Sequence, residues 1–137
     1  MQWAIALVDG ASSGNPGPSG IGGVITLPNG KDFEFSYYIG NGTNNQAEYK
    51  ALITALNYLL SRDVKKAKIY LDSELVVKQL KGEYKIKGKK LRPLSARASR
   101  LIRQFEAIEL KYIPRQKNKR ANKLAQIASQ KAKKNNP

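Results

Sequence analysis

"TNNQAEYKALITALNYLLSR", Thr43 to Arg62, decides how the rest of the chain is read. Thr43 or Asn44 can cap a helix here, because a short side-chain oxygen accepts from the first free backbone N–H groups. Leu52, Ala55, Leu56 and Leu59 recur at helical spacing, which predicts a helix to about Arg62. Glu48 falls on the same face as Leu52, Leu56 and Leu59, so its carboxylate points toward a sheet and not toward water. The helix dipole offers that carboxylate about 0.5 kcal/mol, whereas burying it unpaired costs several times more. A cation must stand nearby, and a bound metal serves as well as Lys or Arg.

Outward from that helix the chain alternates. "WAIALVD" (Trp3–Asp9) reads as a buried strand ending in an acid. "IGGVITL" (Ile21–Leu27) and "DFEFSYYI" (Asp32–Ile39) read as strands joined by a hairpin at Asn29-Gly30. Between the first two, "GASSGNPGPSG" (Gly10–Gly20) is too rich in Gly and Pro to expect regular structure. After the helix come a strand "AKIYLD" (Ala67–Asp72), a short helix capped at Ser73 and stopped by Gly82, and an irregular basic loop "EYKIKGKK". A helix from about Arg92 to Phe105, a strand "IELKYI" and a helix from about Lys119 to Lys133 complete the order β-β-β-α-β-α-α-β-α. The expectation is an α/β domain around one mixed five-stranded sheet: strands 1–3 antiparallel, later strands parallel to the first, helices flanking. Residues 1–130 form that single domain, and 131–137 form a basic tail that frays.

Composition narrows the chemistry. The 137 residues include neither Cys nor His, which excludes disulfides, thiolate sites and imidazole as base or ligand. No apolar run approaches the roughly 20 residues that span a bilayer, and "MQWAIALVDG" lacks a signal-peptide pattern, so the expectation is a cytoplasmic protein without a membrane partner. The formal net charge of +15 is uneven: residues 1–77 hold six Lys/Arg against seven Asp/Glu, and residues 78–137 hold nineteen against three. Such a surface favours a polyanion partner, since basic groups gain affinity by displacing condensed counterions. Plain solubility is the blander account. A membrane surface fits less well, for no helix pairs a basic face with a large apolar one.

Asp9 and Asp72 each close an apolar strand, and two parallel neighbours would bring both acids to one edge of the sheet. Alone, either acid could simply begin a turn. With Glu48 they make three carboxylates, a donor set suited to Mg²⁺ or Mn²⁺. A cationic surface beside such a set points to phosphodiester cleavage assisted by two ions.

The segments "LVDGASSGNPGPSGIGGVI", "GTNNQAEYKALITAL", "YLDSELVVKQLKGEYKIK" and "IPRQKNKRANKLA" resemble, in content and order, a type 1 ribonuclease H. The resemblance covers about Ile5 to Ala128 and implies an endonuclease that cuts the RNA strand of RNA–DNA hybrids with two Mg²⁺ ions, or Mn²⁺ in their place. By position it makes Asp9, Glu48 and Asp72 three of four catalytic, metal-binding acids. The fourth position is Asn122, in "ANKLA" where the family pattern has an Asp. An amide ligates Mg²⁺ poorly, so the resemblance implies hybrid binding with cleavage reduced or abolished. The loop "PRQKNKR" also lacks the His or Glu that relatives carry before the last helix.

The resemblance further implies RNA contacts at Ser12, Gly14, Asn15, Asn44 and Gln46. It implies DNA-phosphate contacts at Asn41, Thr43, Tyr84, Lys85 and Lys87, in a short form that lacks the family's basic helical protrusion. Lys89, Lys90 and Arg92 would replace that protrusion's charge. The partner implied is an RNA–DNA hybrid bound by a monomer with no obligate protein partner. Two other readings compete: a module that shields hybrids or double-stranded RNA without cutting, and a nuclease or integrase of different chemistry on the same sheet.

Overall fold

The computed structural model describes residues 2–131. Its elements are β1 (Trp3–Ser12), β2 (Gly17–Thr26), β3 (Asp32–Gly42), α1 (Asn44–Ser61), β4 (Lys66–Leu71), α2 (Glu74–Leu80), α3 (Leu91–Ile102), β5 (Ala107–Tyr112) and α4 (Lys119–Ser129). A short 3-10 turn at Arg115–Lys117 leads into α4. The five strands lie in the order β3-β2-β1-β4-β5. β1–β2 and β2–β3 pair antiparallel, while β1–β4 and β4–β5 pair parallel. The expected mixed sheet is therefore the observed one.

α1 starts where its sequence says it should. The Thr43 hydroxyl accepts from the Gln46 N–H at 3.2 Å, and Gln46 Oε1 accepts from the Thr43 N–H at 2.8 Å, a reciprocal capping box. The helix buries Leu52, Leu56 and Leu59 against the sheet, and α3 packs on α1 from outside. Truncating any of those leucines to Ala costs about 2–5 kcal/mol. α4 covers β1, β2 and β3. It is fastened to β3 by a two-pronged Arg120–Glu34 pair at 2.8 and 2.9 Å and by the Ser36 hydroxyl, which donates to Leu124 O at 2.7 Å.

The segment Gly10–Gly20 corrects the sequence reading. β1 continues through Ser12 and β2 begins at Gly17, with Gly10 opposite Ile21, Ala11 opposite Gly20 and Ser12 opposite Ser19. These glycines serve packing more than turning. A Cβ on Gly10 would lie 2.2 Å from the Ala47 carbonyl carbon of α1, and one on Gly22 would lie 2.5 Å from Ala121 O of α4. Since alternate residues of a strand face opposite sides, α1 and α4 clamp the same strand pair from its two faces. The turn that remains, Ser13–Pro16, needs a glycine only at Gly14, whose φ is +101°.

Helix ends moved as well. α3 spans Leu91–Ile102, a residue earlier at its start and three earlier at its end than the pattern suggests. α4 stops at Ser129, and residues 132–137, with most of the expected tail, lie outside the described residues. Lys131 remains part of the packed domain, donating to Ser36 O at 2.9 Å.

Candidate active site

The parallel pairing of β1 and β4 brings Asp9 and Asp72 to one edge of the sheet, and the first turns of α1 bring Glu48 beside them. One carboxylate oxygen from each lies within 4.8 Å of the others. Asp9 is 2% exposed and Glu48 6%, while Asp72 is half-buried. The Gly10 N–H donates to both Asp9 Oδ1, at 2.9 Å, and Glu48 Oε1, at 3.1 Å. Glu48 Oε2 is buried without a partner.

That crowding is costly. Burial, and then the Asp9 carboxylate with Asp72 further away, pushes the Glu48 carboxyl well above the ordinary range; the Gly10 N–H opposes this weakly. Asp72 is pushed up to about 6, first by burial and then by Asp9, with an Asn118 hydrogen bond and the Arg115 charge pulling the other way. Among the described residues the ion pairs are Lys78–Glu74, Lys111–Glu109 and Arg120–Glu34, so none neutralises the three acids. An all-oxygen donor set with an orphaned buried oxygen and no ion pair of its own among the described residues fits a hard divalent cation. Asp9, Glu48 and Asp72 are the residues that could hold it.

Two amides complete the floor. Asn122 Nδ2 donates to Asp9 Oδ2 at 2.6 Å, so the fourth expected position does reach the site. Asn118, which sequence reasoning missed, is 1% exposed. Its Nδ2 donates to Val8 O at 2.9 Å and to Asp72 Oδ2 at 3.4 Å. Glu48 and Asp72 open into a groove of about 580 Å³ whose walls include Ser12, Ser13, Asn44, Asn45, Arg115, Gln126 and Gln130.

The proposed RNA-side residues form one hydrogen-bonded corner. The Ser12 N–H donates to Asn44 Oδ1 at 2.8 Å, the Ser12 hydroxyl donates to Gly42 O at 2.7 Å, and the Asn44 N–H donates to Asn15 Oδ1 at 2.9 Å. Gly14 sits at the turn beside them, and Gln46 is committed to the α1 cap. Thr43 also works as that cap, and Asn41 lies near the end of β3 opposite Pro18. Tyr84, Lys85 and Lys87 line a separate cleft of about 540 Å³ with Asn45, Leu75 and Gln79. Asn45, also missed, borders both clefts.

Comparison with known proteins now bears on this geometry. Residues 7–128 match the model of the family described as Reverse transcriptase-like. The crystal structure of RNase H1 from the halophilic archaeon Halobacterium salinarum superposes with a TM-score of 0.87 at 39% identity, covering 92% of this chain and 96% of that one. The chain belongs to the ribonuclease H family. LC11-RNase H1 in complex with an RNA/DNA hybrid is likewise similar, with a TM-score of 0.85 at 41% identity over 94% of this chain and 98% of that one. The Bifunctional protein Rv2228c of Mycobacterium tuberculosis is 38% identical over 122 residues, 88% of this chain. This ribonuclease H domain spans only 34% of that mycobacterial relative, and 62% of the full ribonuclease HI of H. salinarum. None of its described helices is long and apolar enough to cross a membrane.

Proposed function

We propose that this ribonuclease H domain binds RNA–DNA hybrids and hydrolyses the RNA strand, weakly in the chain as it stands because Asn122 replaces a fourth acid. The observation that carries the reading is the convergence of Asp9, Glu48 and Asp72, with Glu48 Oε2 buried and unpaired, at the floor of an open polar groove. Those three residues would hold two Mg²⁺ ions, or Mn²⁺, which when bound activate water and stabilise the leaving oxygen. The chain's own residues do the rest. The Gly10 N–H and Asn118 fix the carboxylates, and the Ser12–Asn15–Asn44 corner with Gly14 offers donors and acceptors to ribose hydroxyls. Asn41, Thr43, Tyr84, Lys85 and Lys87 would hold the DNA phosphates. That residues 81–90 form no helix supports reading this as a short form without a basic protrusion. In this reading the protein acts as a cytoplasmic monomer.

One contact favours a second reading, that of a hybrid-binding protein that does not cut. The Asn122 amide donates to Asp9 Oδ2 at 2.6 Å, and so occupies an oxygen that an Asp there would leave to the ion. Labelled hybrid incubated with Mg²⁺, Mn²⁺ or chelator separates the two. Asn122→Asp should raise ion-dependent cleavage by about 100-fold or more, given that even outer-sphere partners change activity by about 10–100-fold. Equal rates for the two chains would exclude the fourth-acid role, and no cleavage by either would favour the binding protein.

A further inference from the structure

The basic second half of the chain changes character along one line of α4. Every fourth residue from its cap is an amide: Asn118, Asn122, Gln126, Gln130. Four-residue spacing places them on one face, while Lys119, Arg120 and Lys123 fall elsewhere around the helix. Asn118 and Asn122 are spent on Asp72 and Asp9. Gln126 and Gln130 continue the row, both exposed, and border the same groove as Ser12 and Ser13.

The height of this row is set by the sheet. A Cβ on Gly20 would lie 2.3 Å from Ser129 N and 2.5 Å from Ala125 O, so the helix backbone rests directly on β2 beside Gln126 and Gln130. A lysine in either position would add a positive charge to the wall of this groove, where it is drawn to phosphate. A neutral amide adds no charge, yet brings two donors and an acceptor.

We propose that Gln126 and Gln130 form a subsite that reads the RNA strand by its sugars and shallow-groove base edges, extending the acid site along α4. In A-like duplexes the wide, shallow minor groove displays 2′-hydroxyls and base edges. An amide can both give to and accept from a 2′-hydroxyl, whereas an ammonium only donates and is drawn to phosphate, which carries no sugar information. The inference rests on the hybrid-binding reading above and concerns how RNA is told from DNA.

The test is equilibrium binding in EDTA, where nothing is cut, using labelled RNA–DNA hybrid and DNA duplex of one sequence. Q126A/Q130A should bind hybrid about tenfold more weakly, the effect of losing two ordinary hydrogen bonds, with DNA duplex affinity unchanged. Q126K/Q130K should bind DNA duplex more tightly, lose preference for hybrid, and steepen the salt dependence by about two contacts. Both positions are exposed, and thermal melts confirm that the variants fold. If the unaltered chain prefers hybrid and the alanine variant keeps that preference, the amide subsite is wrong while the reading of function stands. If the unaltered chain binds hybrid and DNA duplex equally, both fail.

Discussion

The floor of the groove and the lysine-bearing rim of the neighbouring cleft are built on opposite terms. Asp9, Glu48 and Asp72 stand on two strands and a helix start, held by the Gly10 N–H and by helix backbones pressed against bare glycines. The rim, residues 83–90, is a loop whose lysines are exposed. Its side-chain ties are long: Gln79 Nε2 to Lys85 O at 3.4 Å, Arg92 Nε to Ile86 O at 3.5 Å, and Lys78 Nζ to the Tyr84 hydroxyl at 3.3 Å. Its backbone is held at the two ends, where the Glu83 and Tyr84 N–H groups donate to Lys78 O and Gly88 O accepts from the Leu91 and Arg92 N–H groups. Coordinating a divalent ion demands oxygens at fixed positions. Attracting a phosphate backbone demands only charge in number. Rigidity is therefore spent on the anions and withheld from the cations.

The harshest challenge to that contrast is Gly10→Ala. Its new methyl would meet the α1 backbone at 2.2 Å, and overpacking of this kind should cost about 3 kcal/mol in urea melts. An unchanged midpoint would show that the floor is not set by backbone approach. Glu48→Gln comes next. It removes a charge forced into a buried, anionic place, so the ion-free chain should gain about 1 kcal/mol at neutral pH. Mg²⁺ should raise the Tm of the unaltered chain by binding the folded state, and this variant should lose that increase.

A pH series sharpens the point. Asp72 and Glu48 hold protons in the folded state that an unfolded chain releases near pH 4. Their contribution to stability is thus present below about pH 4 and is lost as pH rises through the Asp72 value of about 6. In EDTA, the Tm difference between the unaltered chain and Asp72→Asn should shift against the unaltered chain across that window, and Mg²⁺ should remove the trend. The rim should respond least. Lys85→Ala or Lys87→Ala should leave stability within about 0.5 kcal/mol. Each should flatten the salt dependence of hybrid binding by about 0.9 per lost phosphate contact.

The same division decided what was legible in the sequence. A carboxylate in an apolar helical stripe, like acids closing apolar strands, breaks a pattern, so Glu48, Asp9 and Asp72 were visible before any coordinates. The strand directions followed from the alternation of elements. Gly10–Gly20 misled because glycine-rich composition signals turns, while close approach of a helix from elsewhere leaves no local mark. Asn118 was hidden for a related reason: its partner Val8 lies 110 residues away. The four-residue rhythm of amides was the available signal. Thr43 read both as a phosphate contact and as a cap, and Gln46 as an RNA contact, and the structure engages both in the cap. Single rim lysines remain interchangeable in any sequence reading, since each acts through the field of the group.

The buried tie between the two regions has a mechanical consequence. The Tyr49 hydroxyl donates to Gln79 Oε1 at 2.7 Å, and Gln79 reaches Lys85 O, so the residue next to Glu48 is linked to the loop backbone. Displacing the loop backbone at Lys85 would therefore be felt at α1, beside Glu48. A wall of cations and an anvil of carboxylates thus share a glutamine.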